Sequence, residues 1–474
     1  MNNLNNNFNQ SESITKNIII IGAGIAGYTA AVEIASEIEI NEKKNPNQIN
    51  LDHKQINYQI IIIEKNAIGG TCLNKGCIPT KAALHITEKY KQSREINNEN
   101  NNQITEKIRS HNQSIIAALQ DGIKQLINAK KIAVIQDDAV IESENTVLLK
   151  NANKTIPFDY LIIATGSTAI IPEIYLNEKN DKDLLTSDAI SNLSEVPQEL
   201  IIVGGGYIGV ECATIFHNLG SKITIIEKMD SFLGTIDQDA AKELENQFKK
   251  KGIQIITGRT IIKLEENIAY LDDGQELLYD KILVAIGRAP VFLESKIIFE
   301  KKEKQNNNNN NDNNIKINNY FETNHQNMFI IGDATANLML AHKAEYDAKI
   351  LAKYIIQNEK IMPDYSLIPM CIFSDPQIAI IGNTAPENKT IKVSYTCIGK
   401  SYCLEAPDGF LKLFLNEKKQ IIGAVIVHKY ATEILTALTI IINKQLSCEE
   451  ITKMIFMHPT LGEIIKEAAK KGCQ

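Results

Sequence analysis

Two short glycine runs constrain this chain more than any other feature. GAGIAG spans Gly22 to Gly27, and GGGYIG spans Gly204 to Gly209. Each follows an Ile- and Val-rich run, residues 16–21 and 199–203, and each opens into a stretch with helical patterning, TAAVEIASEI and VECATIFHNLG. Strand, G-x-G-x-x-G and helix in that order form a phosphate cradle: the glycines make a tight turn, let backbone approach a pyrophosphate, and leave a helix N-terminus facing it. One such run is weak evidence. Two are strong when each is followed by a strand ending in an acid, as here with Glu64 in IIIIEK and Glu227 in TIIEK, because a carboxylate accepts hydrogen bonds from ribose hydroxyls. The candidate dinucleotide ligands are therefore Gly22, Gly24, Gly27 and Glu64 at the first turn, and Gly204, Gly206, Gly209 and Glu227 at the second. The chain reads as α/β with buried parallel sheets, holding two nucleotides, and a hydride moving between a flavin and a nicotinamide is the use that fits.

The two units differ in spacing. Gly204 and Glu227 are 23 positions apart and Gly22 and Glu64 are 42 apart. The excess falls in the polar segment 39–58, which reads as a surface loop. Two Asn-rich tracts, 95–103 and 303–319, contain too little apolar content to pack. A length of 474 residues suggests about three domains. The formal charge of -7 gives no reason to expect nucleic acid as a partner. Residues 1–15 read as a polar arm unlike a secretory or transit signal, and no apolar run approaches the ~20 residues of a spanning helix. A cytoplasmic protein without membrane insertion is the expectation.

Eight cysteines in so long a chain are too scattered for a disulfide scaffold. Cys72 and Cys77 nevertheless stand five positions apart in GGTCLNKGCIPTKA. A disulfide needs Cα atoms ~4.4–6.8 Å apart, whereas five steps of straight helix rise ~7.5 Å. The pair can bridge only if the segment bends, which Gly76 permits and which Pro79, suited to a helix first turn, localises. Cys77 would then lie near a helix N-terminus, where the dipole favours thiolate. A chance pair of buried thiols or half of a zinc site are the alternatives. No second CxxC or HxxxH completes a zinc site, so no metal is expected.

GGTCLNKGCIPTKA resembles the redox-active segment of the flavin-dependent pyridine nucleotide-disulphide oxidoreductases, nearest to the branch that oxidises dihydrolipoyl groups. LIIATGS (161–167), GGGYIGVE (204–211), AIGRAP (285–290), FIIGDAT with MLAHKAE (329–345) and HPTLGE (458–463) follow in the family's order, so the likeness runs from about Lys16 to Ala469. It implies two Rossmann-like dinucleotide-binding domains, for FAD and NAD, plus a C-terminal α+β dimerisation domain. The expected boundaries are 1–15 for the arm, 16–167 for FAD binding, 168–287 for NAD binding, 288–350 for a central domain completing the FAD site, and 351–474 for the interface.

Carried over by motif, Cys72 would exchange with a substrate dithiol and Cys77 would face the flavin. Lys81 and Glu211 would form an ion pair beside it. Thr165, Gly166, Ser167, Gly287 and Arg288 fall in cofactor-binding motifs, Asp333 would hold the ribityl chain, and the helix start at Met339, Leu340, Ala341 and His342 would face the flavin's N1 and O2 edge. His342 alone reads equally well as a structural helix residue. His458 would be the base that deprotonates a dihydrolipoyl thiol at the cysteines of the other subunit, with Glu463 orienting the ring. The implied partners are a second copy of the chain and the lipoyl-bearing carriers of 2-oxoacid dehydrogenase or glycine cleavage complexes. Glu227 favours NAD, since a carboxylate repels a 2'-phosphate and IIEKMDSFLGTID supplies Lys228 but no arginine. Ala289 and Leu338 depart from the family's usual Arg and Pro, away from the reaction. A glutathione-, trypanothione- or mercuric-reductase-like enzyme, and a non-catalytic subunit that binds a lipoyl carrier, are the alternatives. Cys212, Cys371, Cys397, Cys403, Cys448 and Cys473 read as ordinary thiols.

Overall fold

The computed structural model describes residues 13–44, 55–97, 101–176, 183–302 and 314–474. The chain forms two compact units, each discontinuous: residues 1–74, 115–168 and 289–363 make the first, and residues 75–114, 169–288 and 364–474 the second.

The first unit is built on a five-stranded parallel sheet in the order Met328–Ile330, Tyr160–Ile163, Ser13–Ile21, Gln55–Glu64, Ala133–Gln136. Successive strand side chains point to opposite faces, so the run Ile18 to Ile21 stays hydrophobic only because both faces are covered. Ile18 and Ile20 pack with Ala30 and Ile34 of helix Ile25–Lys44 and with Ala348 and Leu351 of helix Ala341–Gln357. Ile19 and Ile21 face Ile141, Val147 and Leu149 of a small antiparallel sheet. Each such buried isoleucine contributes roughly 1.5–3 kcal/mol, enough to set the register Ile18↔Ile60 through Ile21↔Ile63.

The second unit repeats this plan. Its parallel sheet runs Gln254–Thr257, Lys222–Glu227, Glu199–Val203, Lys281–Val284, Leu184–Leu185. One face packs on helix Tyr207–Leu219 through Val210 and Ala213, beside Ala83 and Ile86 of helix Cys77–Asn97. Ile201 and Val203 on the other face meet Ala269 and Leu271 of a three-stranded sheet. Helix Tyr207–Leu219 ends where Gly220 turns left-handed at φ +100°, its N–H bonding His217 O while Ser221 N–H bonds Phe216 O. That is the paired closure of a Schellman motif. The unit also carries a five-stranded antiparallel sheet, in the order Met370–Ile372, Gln377–Gly382, Ile421–His428, Phe410–Leu415, Lys389–Ser394, covered by helices Ala431–Asn443 and Glu463–Cys473.

Several local expectations shift. The first strand begins at Ser13, so residues 13–15 of the expected arm are strand, and residues 1–12 lie outside the described residues. The 39–58 loop is shortened from both ends: helix Ile25–Lys44 continues through its polar last turn, and strand Gln55–Glu64 starts early because Ile56 through Ile60 extend the pairing with Ile14 through Ile18. Residues 45–54 lie outside the described residues. The Asn-rich tract at 95–103 is helical at both ends, with helices Cys77–Asn97 and Asn101–Ala129 flanking the undescribed 98–100. Burial of Ile104 and Ile108 anchors the second helix, and polar residues extend it by a turn. Of the 303–319 tract, 303–313 lie outside the described residues, while Ile315 and Ile317 pack on the first unit's core. Helix Ala341–Gln357 passes unbroken through position 350 and belongs to the first unit, which ends at Pro363.

Candidate active site

In the first unit the Gly22–Gly27 turn joins strand Ser13–Ile21 to helix Ile25–Lys44. A Cβ added to Gly27 would lie 1.8 Å from Gly22 O, so helix and turn can approach this closely only without a side chain. Glu64 closes the turn from the neighbouring strand end: its Oε2 accepts from Ala23 N–H at 2.6 Å and its Oε1 from Asn66 N–H at 2.7 Å. The second unit reproduces the arrangement atom for atom. A Cβ on Gly209 would lie 2.0 Å from Gly204 O, and Glu227 accepts from Gly205 N–H through Oε2 and from Met229 N–H through Oε1, both at 2.8 Å. Each carboxylate oxygen keeps a further lone pair for a hydroxyl. A Cβ on Gly206 would meet nothing within 4 Å, so the space over this turn is open. These cradles fit two dinucleotides.

The cysteine motif is seated on the first turn through Gly69, whose N–H bonds Ala23 O at 2.9 Å. Cys72 lies half-buried in the short helix Gly70–Asn74. Asn74 stops that helix, its Nδ2 donating to Ile68 O and Gly70 O while Gln120 Nε2 donates to its Oδ1 at 2.7 Å. The chain then turns over residues 75 and 76, and helix Cys77–Asn97 starts at the exposed Cys77 with Pro79 in its first turn. The chain thus bends between the two cysteines, and both stand as thiols in this structure.

On the first unit's other loops, Thr165 Oγ1 donates to Val291 O and Ser167 Oγ donates to Asp333 Oδ2 at 2.6 Å. Gly166, between them, adopts φ +74°. Helix Ala341–Gln357 begins after Leu340 with no side-chain cap and no acid in its first turn, so neither offsets the positive end of its dipole. Met339 and Leu340 are half-buried, and His342 is exposed.

In the second unit Lys81 and Glu211, 130 residues apart in sequence, meet with Nζ to Oε2 at 2.7 Å. Glu211 is buried, and its Oε1 also accepts from Phe373 N–H at 3.1 Å, while Lys81 Nζ lies 4.6 Å from the Phe373 ring centroid. Lys81 is about a third exposed, so the pair contributes roughly 1–2 kcal/mol, less than a dry charge-assisted bond. Burial pushes the neighbouring thiols up, Cys212 to about 12 and Cys371 to about 11, so both stay protonated and inert. Gly287 adopts φ +123° and accepts from Ile170 N–H, and Arg288 is half-buried beside it.

His458 Nδ1 lies 3.0 Å from Glu463 Oε1, and Thr460 N–H donates to Glu463 Oε2 at 2.9 Å. The Thr460 amide first, then His458, hold the Glu463 carboxyl below the usual range. With Nδ1 engaged and 77% of its side chain exposed, the ring presents Nε2 outward.

Four further residues contribute with no role assigned from the sequence. Phe373 anchors Glu211 and Lys81. Arg259 donates its backbone N–H to Glu227 O, but its guanidinium is engaged by Asp273 at 2.7 Å. Lys343 and Asp347 are wholly buried charges; the signal was a Lys and an Asp at i and i+4 on a helix face otherwise made of Ala, Ile and Leu. Among the described residues, no helix is long and apolar enough to cross a membrane, and no group of three or more His, Cys, Asp or Glu side chains is arranged to hold a metal ion.

Comparison with known proteins agrees with this geometry. Residues 16–348 match the family described as pyridine nucleotide-disulphide oxidoreductase, and residues 368–469 match its dimerisation domain. A dihydrolipoyl dehydrogenase of Geobacillus stearothermophilus is 32% identical, with 97% of this chain and 96% of that protein covered. One from Chlamydia pneumoniae is 30% identical, with 95% of each covered. Among solved structures, the HOCl-induced flavoprotein disulfide reductase RclA from Escherichia coli superposes with a TM-score of 0.81 at 23% identity, covering 96% of this chain and 99% of that one. LpdA from Mycobacterium tuberculosis gives a TM-score of 0.81 at 20% identity, covering 96% and 99%, and both share the fold. Twin glycine turns closed by glutamates, a cysteine pair at a helix start, and relatives matched over nearly their whole length together place this chain in the pyridine nucleotide-disulphide oxidoreductase family.

Proposed function

We propose that the chain oxidises protein-bound dihydrolipoyl groups with NAD+, as a homodimeric dihydrolipoyl dehydrogenase using FAD and a redox-active Cys72–Cys77 pair. The observation that carries this reading is the His458–Glu463 pair, a base oriented through Nδ1 with its outer nitrogen exposed, in a chain that also holds two dinucleotide cradles. Bound FAD supplies a two-electron relay between a dithiol and NAD+. The first unit's turn, with Glu64, Thr165, Gly166, Ser167 and Asp333, would hold FAD, and the uncapped start of helix Ala341–Gln357 would face its electron-rich edge. Glu227 and the Gly204–Gly209 turn, with Gly287 and Arg288, would hold NAD.

His458 of one subunit takes a proton from a dihydrolipoyl thiol at the cysteines of the other. The resulting thiolate attacks Cys72 Sγ of the oxidised pair, and Cys77 leaves as thiolate at the start of its helix, where the dipole stabilises the charge. The second substrate thiol then displaces Cys72, which completes the lipoyl disulfide. Glu463 stabilises the imidazolium formed meanwhile. By the family likeness, Lys81, fixed by Glu211, would hold its positive charge beside the flavin. NAD would be preferred because Glu227, anchored by the Gly205 and Met229 amides, would accept from a ribose hydroxyl and repel a 2'-phosphate, and Arg259 is committed to Asp273. A cytoplasmic setting and service to a 2-oxoacid dehydrogenase or glycine cleavage complex belong to the same reading.

The test is reduction of the purified holoenzyme by dihydrolipoamide, followed by flavin absorbance and NADH release. Bleaching with turnover on NAD+, and little on NADP+ or with glutathione, is expected. Bleaching by glutathione and NADPH instead would select another disulfide reductase, and an unchanged spectrum would select a non-catalytic subunit.

A further inference from the structure

Asp333 lies in a single 3-10 turn, Gly332–Thr335, and its carboxylate accepts from Ser167 Oγ at 2.6 Å. The turn is gripped from behind by two charges with no exposed surface. Lys343 Nζ and Asp347 Oδ2 are 2.6 Å apart, one helical turn from each other on helix Ala341–Gln357. Asp347 Oδ2 accepts from Gly332 N–H at 3.1 Å. Lys343 Nζ donates to Gly332 O at 3.3 Å and to Thr335 Oγ1 at 2.9 Å, and Thr335 Oγ1 donates to Gly332 O at 2.8 Å. The pair thus holds both the N–H and the C=O of Gly332. That carbonyl belongs to the peptide plane carrying the Asp333 N–H, and a planar trans peptide fixes the amide once its carbonyl is fixed.

Stability does not account for such a pair. Removing two charges from water cancels most of their attraction, and replacing both by apolar residues of similar size is often neutral or stabilising. What the pair does supply is direction. Gly332 adopts φ +68°, and a Cβ there would lie 2.8 Å from Ala26 Cβ, so the turn is also pressed against the helix that leaves the first glycine turn. We propose that the Lys343–Asp347 pair is a positioning device for Asp333: by fixing the Gly332 peptide it aims the Asp333 carboxylate and amide at FAD. This rests on the reading of Asp333 as a flavin ligand.

The test is a double-mutant cycle on FAD affinity, read from free-flavin fluorescence after equilibrium dialysis of dilute holoenzyme. Asp333→Asn alone should weaken FAD by about tenfold or more, the effect of losing a charge-assisted hydrogen bond. The apolar pair replacement, Lys343→Met with Asp347→Leu, should weaken FAD by a similar factor while far-UV circular dichroism and a cooperative melt in excess FAD stay as in the parent. Combined with Asp333→Asn it should add less than about threefold, because coupled sites are not additive. Additive losses, or none from the pair replacement, would overturn the inference and leave the Asp333 reading standing. An Asp333→Asn variant that binds FAD normally would overturn both. Should the pair replacement not fold, Thr335→Val enters the same cycle: it is nearly isosteric, removes the Thr335 Oγ1 contacts with Lys343 Nζ and Gly332 O that fix the same peptide, and should weaken FAD by a few-fold only while Asp333 is present. A loss independent of Asp333 would overturn the inference.

Discussion

Replacing Gly206 by Ala separates the turn's role in folding from its role in binding. Gly206 caps helix Tyr207–Leu219 at φ -80°, ψ -173°, a conformation open to alanine, and a Cβ there meets no protein atom within 4 Å. Alanine is the weaker N-cap by about 0.5–1 kcal/mol, but the stiffer unfolded chain returns about 0.4–1 kcal/mol. Net stability should therefore change by no more than ~0.5 kcal/mol. The added methyl would occupy the open space over this turn, where a diphosphate would approach the helix start if the turn holds NAD. Losing one charge-assisted hydrogen bond of ~1.5–3 kcal/mol would weaken NADH binding by about 10- to 150-fold. Gly209→Ala is the contrast. Its Cβ would lie 2.0 Å from Gly204 O, and neither backbone segment can yield, so overpacking of ~1–3 kcal/mol or more should lower the melting temperature along with NADH affinity. Stopped-flow reduction of the flavin at increasing NADH, with a thermal melt of each variant, measures both effects. If Gly206→Ala bound NADH like the parent, no dinucleotide would lie over this turn, and the assignment of the second cradle would be wrong.

Three more outcomes can be checked directly. His458→Gln should slow dihydrolipoamide oxidation by about 10²- to 10⁴-fold, the range for a general base, while NADH oxidation by an artificial acceptor largely survives; equal loss of both rates in steady-state assays would remove His458 from its role. Glu227→Ser should weaken NAD+ and also lower the melting temperature, because Gly205 N–H and Met229 N–H lose their acceptor together; an unchanged melt would show that the carboxylate does not hold the turn. Burial above all, then Lys91 and Lys251, pushes His217 down to about 4. The unfolded chain binds that proton near pH 6.5 and the folded chain does not until about pH 4, so stability falls as pH drops through this window. Urea midpoints from pH 7 to pH 4 should fall less steeply for His217→Gln than for the parent.

Legibility in the sequence followed the range over which each determinant acts. Glycine turns, the acids closing them, and the break between Cys72 and Cys77 are set within a few residues, and the motif order carried them. The Lys81–Glu211 pair was readable only through family likeness, since tertiary packing alone brings residues 130 apart together. Phe373 had no local signature: its contribution is a backbone N–H and a ring face, which any residue type with an aromatic ring supplies. Arg259 was missed for a related reason, because the parallel pairing of Lys222–Glu227 with Gln254–Thr257 delivers it to Glu227 from the next strand. Polar composition misjudged the ends of the Asn-rich segments, where a helix anchored by Ile104 and Ile108 outweighs the weak preferences of asparagine.

The interrupted course of the chain has a consequence for biosynthesis. Strand Tyr160–Ile163 pairs on one side with Ser13–Ile21 and on the other with Met328–Ile330. A nascent chain emerging at ~5–20 residues per second leaves that second edge open for roughly ten to thirty seconds while the intervening segment is translated. During that interval Leu161, Ile162 and Ile163 offer unsatisfied amides and apolar side chains to any passing strand. The ribosome-bound intermediate, rather than the finished chain, is the species that exposes this edge.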